Sequence, residues 1–249
     1  MREQVVSLYG STLLFDATLT NVDELAAMFA NVRGIAAEYA MSGRGTVYFV
    51  KSGDQEWALR EYRRGGLVGK FIARNYCYLG LNQTRMAREF RLLSHLYRQG
   101  LPVPRPVVAR IFRSTLVYRG ALVTQRLPGT QTLGNILKAA VLDQSRWTEV
   151  GQCIRRFHDH GVYHADLNAN NIMLDDQQVY LIDFDKGRLL DPDAASWKKS
   201  NLVRLRRSLD KLRTNTLTFH FGDRDWQYLL LGYEEATASS ANLSPNSER

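Results

Sequence analysis

The feature that most constrains the fold is a polar run at residues 164–185 that is interrupted by short apolar segments. HADLNANN at 164–171 is followed by an apolar run at 172–174, four polar residues and a second apolar run at 179–182, which leads into DFD at 183–185. Short apolar runs on either side of a polar turn are typical of a hairpin. The pattern therefore predicts a polar loop, a small hairpin and an acidic segment directly after its second strand.

Two carboxylates and one amide stand out in this run. Asp166, Asn171 and Asp183 occur at the spacing of H-R-D-L-x-x-x-N and D-F-G in protein kinases. Phosphoryl transfer from ATP needs a carboxylate that accepts the proton of the acceptor hydroxyl, and oxygen ligands that hold Mg²⁺ against the phosphates. We therefore predict Asp166 as the base and Asn171 and Asp183 as Mg²⁺ ligands. His164 completes the predicted catalytic loop and is expected to orient it.

The composition narrows the range of partners and compartments. The chain has 249 residues and a net charge of +8, which favours a polyanionic partner: a nucleotide, a nucleic acid, or an anionic membrane or glycolipid. Its two cysteines form no CxxC pair, which argues against a zinc ribbon or a disulfide scaffold and favours a reducing, cytoplasmic location. We expect no signal peptide and no membrane span, so that any association with a membrane would be peripheral.

The order of the predicted elements indicates the fold class. The patterning predicts strands within 1–20 and 39–62, helices at 21–30 and 84–99, strands at 107–112 and 116–125, helices at 132–141 and 145–159, and a basic helix at 197–212. This order favours an α+β, two-lobed, protein-kinase-like fold. We predict an N-terminal antiparallel sheet lobe (1–127), a mostly helical C-terminal lobe (128–235), ATP between them, and a flexible tail (236–249).

Candidate phosphate-binding residues lie in the predicted sheet lobe. Gly43 and Gly45 could form a turn that covers the phosphates, because glycine allows the backbone to approach them closely. Kinases also pair a lysine with the phosphates and with a helix glutamate. Arg60 and Lys70 are the two candidates for that cation, and Glu89 is the predicted partner carboxylate.

Several longer motifs resemble one family. They are LREYRRGGLVGKF at 59–71, EFRLLSHLYRQGLPVPRPV at 89–107, YHADLNANNIML at 163–174, LIDFDKGR at 181–188 and SWKKSNLVRLRRSL at 196–209. Over about residues 30–230 the chain resembles the lipopolysaccharide kinases, with motif spacing of the kind that identifies such families. The resemblance implies ATP-dependent phosphorylation of a 3-deoxy-D-manno-octulosonic acid (Kdo) hydroxyl, at position 4, on a Kdo–lipid A precursor at the cytoplasmic face of the bacterial inner membrane.

Basic residues are the candidates for contact with this glycolipid and with the anionic membrane surface. They are Arg63, Arg64, Lys198, Lys199 and Arg204. No nucleic acid and no obligate protein partner is expected. A protein acceptor is disfavoured because only residues 184–249 follow Asp183, too few for the peptide-binding half of a protein kinase, and because no A-P-E segment follows it.

Two alternatives remain open from the residues alone. One is a small-molecule phosphotransferase with the same catalytic residues and another acceptor, such as an antibiotic. The other is a non-catalytic, basic, kinase-like binding module that uses the helix at 197–212 on RNA or on a membrane.

Overall fold

A computed structural model describes residues 1–31, 39–42, 45–52, 55–62 and 76–241. The chain divides into two compact units, an N-terminal unit (Met1–Pro128) and a C-terminal unit (Gly129–Arg249). Among the described residues no helix is both long enough and apolar enough to cross a bilayer. Gly43, Arg63, Arg64 and Lys70 lie outside the described residues.

The N-terminal unit is built on an antiparallel sheet. Its strands are β1 (Glu3–Leu8), β2 (Ser11–Asp16), β3 (Tyr39–Ser42), β4 (Gly45–Ser52), β5 (Gln55–Glu61), β6 (Tyr76–Cys77), β7 (Pro106–Ser114) and β8 (Val117–Gln125). The order across the sheet is β1-β2-β7-β8-β5-β4-β3, and β6 also pairs with β8. The predicted antiparallel sheet is thus confirmed, and Gly45 begins β4 opposite Ser42.

Two helices with side-chain caps accompany this sheet, α1 (Val22–Asn31) and α2 (Arg85–Arg98). The Asn21 side chain accepts a hydrogen bond from the Glu24 backbone N–H at 3.0 Å and so caps the start of α1. α2 buries an apolar stripe that is formed by Met86, Phe90, Leu93 and Leu96. Tyr97 is 39% exposed, and the Arg105 guanidinium lies 5.3 Å from its ring centroid.

The C-terminal unit combines helices with short strands. Its helices are α3 (Leu133–Ala139), α4 (Gln144–Asp159), α5 (Ala195–Asn215) and α6 (Asp223–Ala241), and its strands are β9 (Gln131–Thr132), β10 (Val162–Tyr163), β11 (Ile172–Leu174), β12 (Val179–Leu181) and β13 (Arg188–Leu189). The first residues of the segment predicted as a flexible tail, 236–241, are helical, and residues 242–249 lie outside the described residues. The alanines of this segment have a high helix propensity, and α6 continues to Ala241.

Two glycines allow α4 and α6 to pack with their backbones in contact. A side-chain carbon added at Gly151 would lie 2.0 Å from the carbonyl oxygen of Leu229. One added at Gly232 would lie 2.1 Å from the carbonyl oxygen of Thr148. Any larger residue at either position would therefore force the two helices apart.

Candidate active site

The catalytic loop connects β10 to the hairpin formed by β11 and β12. The hairpin turn is closed by Asp175, whose carboxylate accepts hydrogen bonds from the backbone N–H groups of Gln177 and Gln178 at 2.9 and 2.8 Å. This arrangement is the predicted loop and hairpin. It brings the segment after β12 back beside the loop, because the backbone N–H of Ile182 donates to the carbonyl of Asn171 at 3.0 Å.

His164 is buried and joins the catalytic loop to the acidic segment. Its Nε2 lies 2.9 Å from the carbonyl of Ile182, and its Nδ1 lies 3.1 Å from the backbone nitrogen of Asp166. A carbonyl can only accept and a backbone N–H can only donate, so Nε2 carries the proton and Nδ1 accepts. Burial lowers the pKa of His164, in agreement with a neutral ring. These contacts suit the predicted orienting role, which remains a prediction.

Asn171 and Asp166 are linked within the loop. The side-chain amide nitrogen of Asn171 donates to the Asp166 carbonyl at 2.9 Å, and Asn171 is only 6% exposed. Because the side-chain nitrogen of Asn171 donates this hydrogen bond, the side-chain oxygen is the atom that can bind a cation. The Asp166 side chain is 63% exposed, so that an acceptor molecule can reach its carboxylate.

Asp183 has an unusual backbone conformation. Its φ of 63° lies in the left-handed region, which residues other than glycine adopt rarely and often at functional sites. The next residue, Phe184, is buried against the rings of Phe157 and His164, with centroid distances of 5.7 and 4.7 Å. Packing of Phe184 therefore fixes the turn that carries Asp183.

The donor set fits Mg²⁺ in kind. Asn171 and Asp183 offer one amide oxygen and one carboxylate, and Mg²⁺ is commonly held by one or two carboxylates together with substrate phosphates. Within the described ranges no group of three or more histidine, cysteine or acidic side chains could form a cage for a metal. A metal bound here would therefore take part of its coordination from the nucleotide.

One face of α5 supports the catalytic loop. This support was not predicted from the sequence. Asn201, Arg204 and Ser208 are spaced by three and four residues, so they share a helix face. The Asn201 side chain accepts from the backbone N–H of His164 at 3.2 Å and donates to its carbonyl at 2.9 Å, while the Ser208 hydroxyl accepts from the N–H of Ala169 at 3.3 Å. Asn201 is 1% exposed and is a positioning residue.

The guanidinium of Arg204 lies beside the predicted base. Its Nη1 is 3.4 Å from a carboxylate oxygen of Asp166, and both side chains are at least half exposed. The pair is therefore weak in the free protein. Of the two settings predicted for Arg204, glycolipid acceptor or membrane, this contact favours the acceptor.

Some of the other basic residues of α5 are paired with carboxylates. Lys198 is largely covered and its Nζ lies 3.9 Å from Asp159. Arg206 contacts both Asp210 and Asp223. The uncompensated positive charge of this helix is therefore smaller than its sequence implies. The membrane role of Lys199 stays a prediction.

In the N-terminal unit, Arg60 pairs with Glu89. The Arg60 guanidinium lies 2.6 Å from both carboxylate oxygens of Glu89, which is 3% exposed. The Tyr62 hydroxyl donates to the same carboxylate and accepts from Arg60 at 3.1 Å. Arg60 thus has the helix glutamate expected of the phosphate-pairing cation, although the bidentate fork of an arginine differs from a lysine ammonium. No pattern in the sequence pointed to Tyr62 as the third member of this group.

His158 on α4 packs inside the C-terminal unit. It is 1% exposed; its Nδ1 lies 2.8 Å from the Tyr233 hydroxyl and its Nε2 lies 3.4 Å from the Asn201 side-chain oxygen. Burial lowers its pKa from 6.5 to about 4. Because Nε2 faces an acceptor oxygen, it carries the proton, and in the neutral ring that burial favours, Nδ1 accepts from the Tyr233 hydroxyl.

This burial predicts a loss of stability in mild acid. The unfolded chain binds a proton at His158 near pH 6.5 and the folded chain does not, so the free energy of unfolding should fall as the pH drops from about 7 to 4, by at most about 3 kcal/mol from this group. Urea denaturation at several pH values should show a shallower pH dependence for His158→Gln. His160→Gln, at the exposed end of the same helix, should retain the wild-type slope, and equal slopes for all three proteins would contradict the assignment.

The comparisons with known proteins agree on one family. The model of the lipopolysaccharide kinase (Kdo/WaaP) family matches residues 34–233. A 3-deoxy-D-manno-octulosonic acid kinase of Vibrio parahaemolyticus is 43% identical over 189 residues, covering 76% of this chain and 78% of the relative. The corresponding kinase of Photobacterium profundum is 44% identical over 193 residues, covering 77% and 80%.

A solved structure shows the same fold at low sequence identity. The structure of WaaP in complex with acyl carrier protein aligns with a TM-score of 0.56 and 15% identity, covering 93% of this chain and 94% of that one. This likeness supports the predicted α+β kinase-like fold. With the family match and the two relatives, it leads to one conclusion: the chain belongs to the lipopolysaccharide kinase (Kdo/WaaP) family and is a phosphotransferase.

Proposed function

We propose that this chain transfers the γ-phosphoryl group of ATP to the 4-hydroxyl of Kdo on a Kdo–lipid A precursor, in lipopolysaccharide core biosynthesis. The observation that carries the proposal is the arrangement of the catalytic loop. This loop contains Asp166 and Asn171, and His164 connects it by hydrogen bonds to the segment that carries Asp183. The chain is also 43% identical to a Kdo kinase. The enzyme acts as a peripheral protein at the cytoplasmic face of the inner membrane, where its lipid-linked acceptor and anionic lipids attract a basic chain.

Each named residue has a distinct task in this proposal. Asp166 accepts the proton of the acceptor hydroxyl, and its exposure allows the sugar to approach. Asn171 and Asp183 would hold Mg²⁺, and the bound ion would neutralise charge on the ATP phosphates. Arg60, held by Glu89, binds the phosphates, and His164 and Asn201 keep the loop in position.

Arg204 is assigned to the carboxylate of Kdo. The acceptor is an acid, and its carboxylate would otherwise meet the like charge of Asp166 without compensation. A guanidinium 3.4 Å from Asp166 is placed to bind that carboxylate through charge-assisted hydrogen bonds.

The Arg204→Gln variant should therefore bind the acceptor poorly. Loss of such a contact corresponds to about a 10- to 100-fold increase in the KM for the acceptor, with the KM for ATP unchanged. Arg207→Gln, one turn further along α5 and exposed, is the matched control. Steady-state kinetics that show the same acceptor KM for both variants would remove Arg204 from the acceptor site.

A comparison of acceptors tests the proposed substrate against the alternative of an antibiotic phosphotransferase. Purified enzyme would be given ATP, Mg²⁺ and either Kdo–lipid A in detergent or an aminoglycoside, and kcat/KM would be measured for each. The proposal predicts turnover with the Kdo glycolipid and none above ATP hydrolysis with the cationic drug. The reverse preference would assign the site to small-molecule inactivation.

A further inference from the structure

Three large apolar side chains are exposed at one end of the N-terminal sheet. Tyr9, Leu79 and Leu116 are 79, 75 and 73% exposed, more than any other large apolar side chain described in that unit. Exposed apolar groups that stand singly are ordinary, but a group of them marks a contact surface. The strand register places all three at one edge of the sheet.

The register of the strands places the three residues at the same edge of the sheet. Tyr9 lies in the turn between β1 and β2, and the pairing of Ser11 with Phe112 places this turn beside the end of β7. Leu116 lies in the turn between β7 and β8. The backbone N–H of Tyr78 donates to the carbonyl of Leu116 at 2.8 Å, so Leu79 is at the same edge.

Arginines held by aromatic rings surround this edge. The Arg113 guanidinium lies 4.5 Å from the ring centroid of Tyr78 and donates to the Thr115 carbonyl at 3.1 Å. Arg119 lies 5.3 Å from the Phe112 ring centroid. Stacking on a ring leaves much of a guanidinium's hydrogen-bonding capacity directed outward, toward an anion.

Acidic residues are absent from the chain segments that build this edge. The ranges 4–15, 76–88 and 105–142 contain no Asp and no Glu. Glu61, on the neighbouring strand β5, is opposite Ala121. Ala121 lies four residues beyond Val117, where β8 begins after the turn, so Glu61 is away from this edge. Glu3 is at the opposite end of β1, where it pairs with Arg91. The edge thus combines an apolar tip with a positive surround.

We propose that this sheet tip, defined as Tyr9, Leu79 and Leu116 with Arg113 and Arg119, docks on the surface of an anionic phospholipid bilayer. The apolar side chains enter the interface while the arginines bind lipid phosphates, the combination by which peripheral proteins recognise anionic membranes. The inference rests on the membrane association proposed above and assigns it a surface. The sheet tip suits this role better than α5, whose Lys198, Arg204 and Arg206 contact carboxylates.

Co-sedimentation with lipid vesicles tests the surface. The full chain should bind vesicles that contain phosphatidylglycerol and should bind pure phosphatidylcholine vesicles at least about 10-fold more weakly, because the arginines need anionic lipid. The triple variant Tyr9→Ser/Leu79→Ser/Leu116→Ser should lose at least about 10-fold in affinity for the anionic vesicles. Arg113→Gln/Arg119→Gln should weaken binding and reduce its dependence on salt.

Matched controls distinguish binding through this surface from nonspecific binding to vesicles by exposed apolar side chains. Val141→Ser/Leu217→Ser removes apolar groups that are 72 and 106% exposed from the C-terminal unit and should leave vesicle binding unchanged. The triple variant should phosphorylate detergent-solubilised Kdo–lipid A at the wild-type rate, which also shows that it is folded. Wild-type binding by the triple variant would overturn the assigned surface but leave membrane association standing. Failure of the wild type to bind any vesicle, or stronger binding to RNA or an acidic protein, would overturn the choice of a bilayer as partner.

Discussion

Replacing Asp166 with Asn is expected to lower kcat by about 10³-fold, within the range that a positioned general base contributes. The loop should keep its structure, because its contacts with Asp166 are made by the backbone: the N–H donates to His164 and the carbonyl accepts from Asn171. Asparagine fills the same volume and cannot accept the hydroxyl proton. Single-turnover phosphorylation and thermal melting of the same preparation would measure both effects.

Asp176 provides the matched control for this experiment. It is an exposed carboxylate in the turn of the neighbouring hairpin, and Asp176→Asn should retain the wild-type rate. If Asp166→Asn kept more than about a tenth of the wild-type kcat, the carboxylate would not be the base, since a lost base costs at least about 100-fold.

Gly151→Val is expected to destabilise the C-terminal unit severely. The first carbon of the new side chain would meet the Leu229 carbonyl oxygen at 2.0 Å and the Tyr233 backbone nitrogen at 2.7 Å. Both atoms belong to the backbone of α6, so the overlap can be relieved only by moving the helix. Overpacking of this kind costs about 3 kcal/mol or more when backbone must shift.

Urea denaturation followed by tryptophan fluorescence would measure that loss. Gly222→Ala is the control, because its added carbon would have one neighbour within 4 Å, a carboxylate oxygen of Asp225 at 3.8 Å. The control should stay within about 1 kcal/mol of wild type, the range of ordinary surface changes. Equal stability of Gly151→Val and wild type would show that α4 and α6 do not pack as described.

Much of the site could be predicted because its signals are local in sequence. Asp166, Asn171 and Asp183 lie within eighteen residues, counted from 166 to 183, and the hairpin between them follows from two apolar runs. The pairing of Arg60 with Glu89 could be predicted because a strand followed by a helix, in the order found in kinases, carries the two residues. Residues on α5 could not be found in this way. Asn201 contacts His164 across 37 positions, and no local pattern distinguishes it from a solvated helix asparagine.

Charge patterns were the least reliable guide. The basic run of α5 predicts a charged patch, but the sequence does not show that Asp159, Asp166 and Asp223 meet its cations. Conversely, Tyr9, Leu79 and Leu116 are far apart in the chain and only the register of the sheet groups them. Both differences arise because tertiary packing, rather than residue type, decides which charges are compensated and which apolar groups remain exposed.

The most direct test of the central claim is the product itself. Purified enzyme would be incubated with ATP, Mg²⁺ and Kdo–lipid A, and the glycolipid analysed by mass spectrometry with fragmentation of the Kdo residue. We expect one added phosphate on Kdo, at position 4, which is absent when Asp166→Asn replaces the wild type. ATP consumption without a phosphorylated glycolipid, or a phosphate located on lipid A rather than on Kdo, would contradict the proposed function.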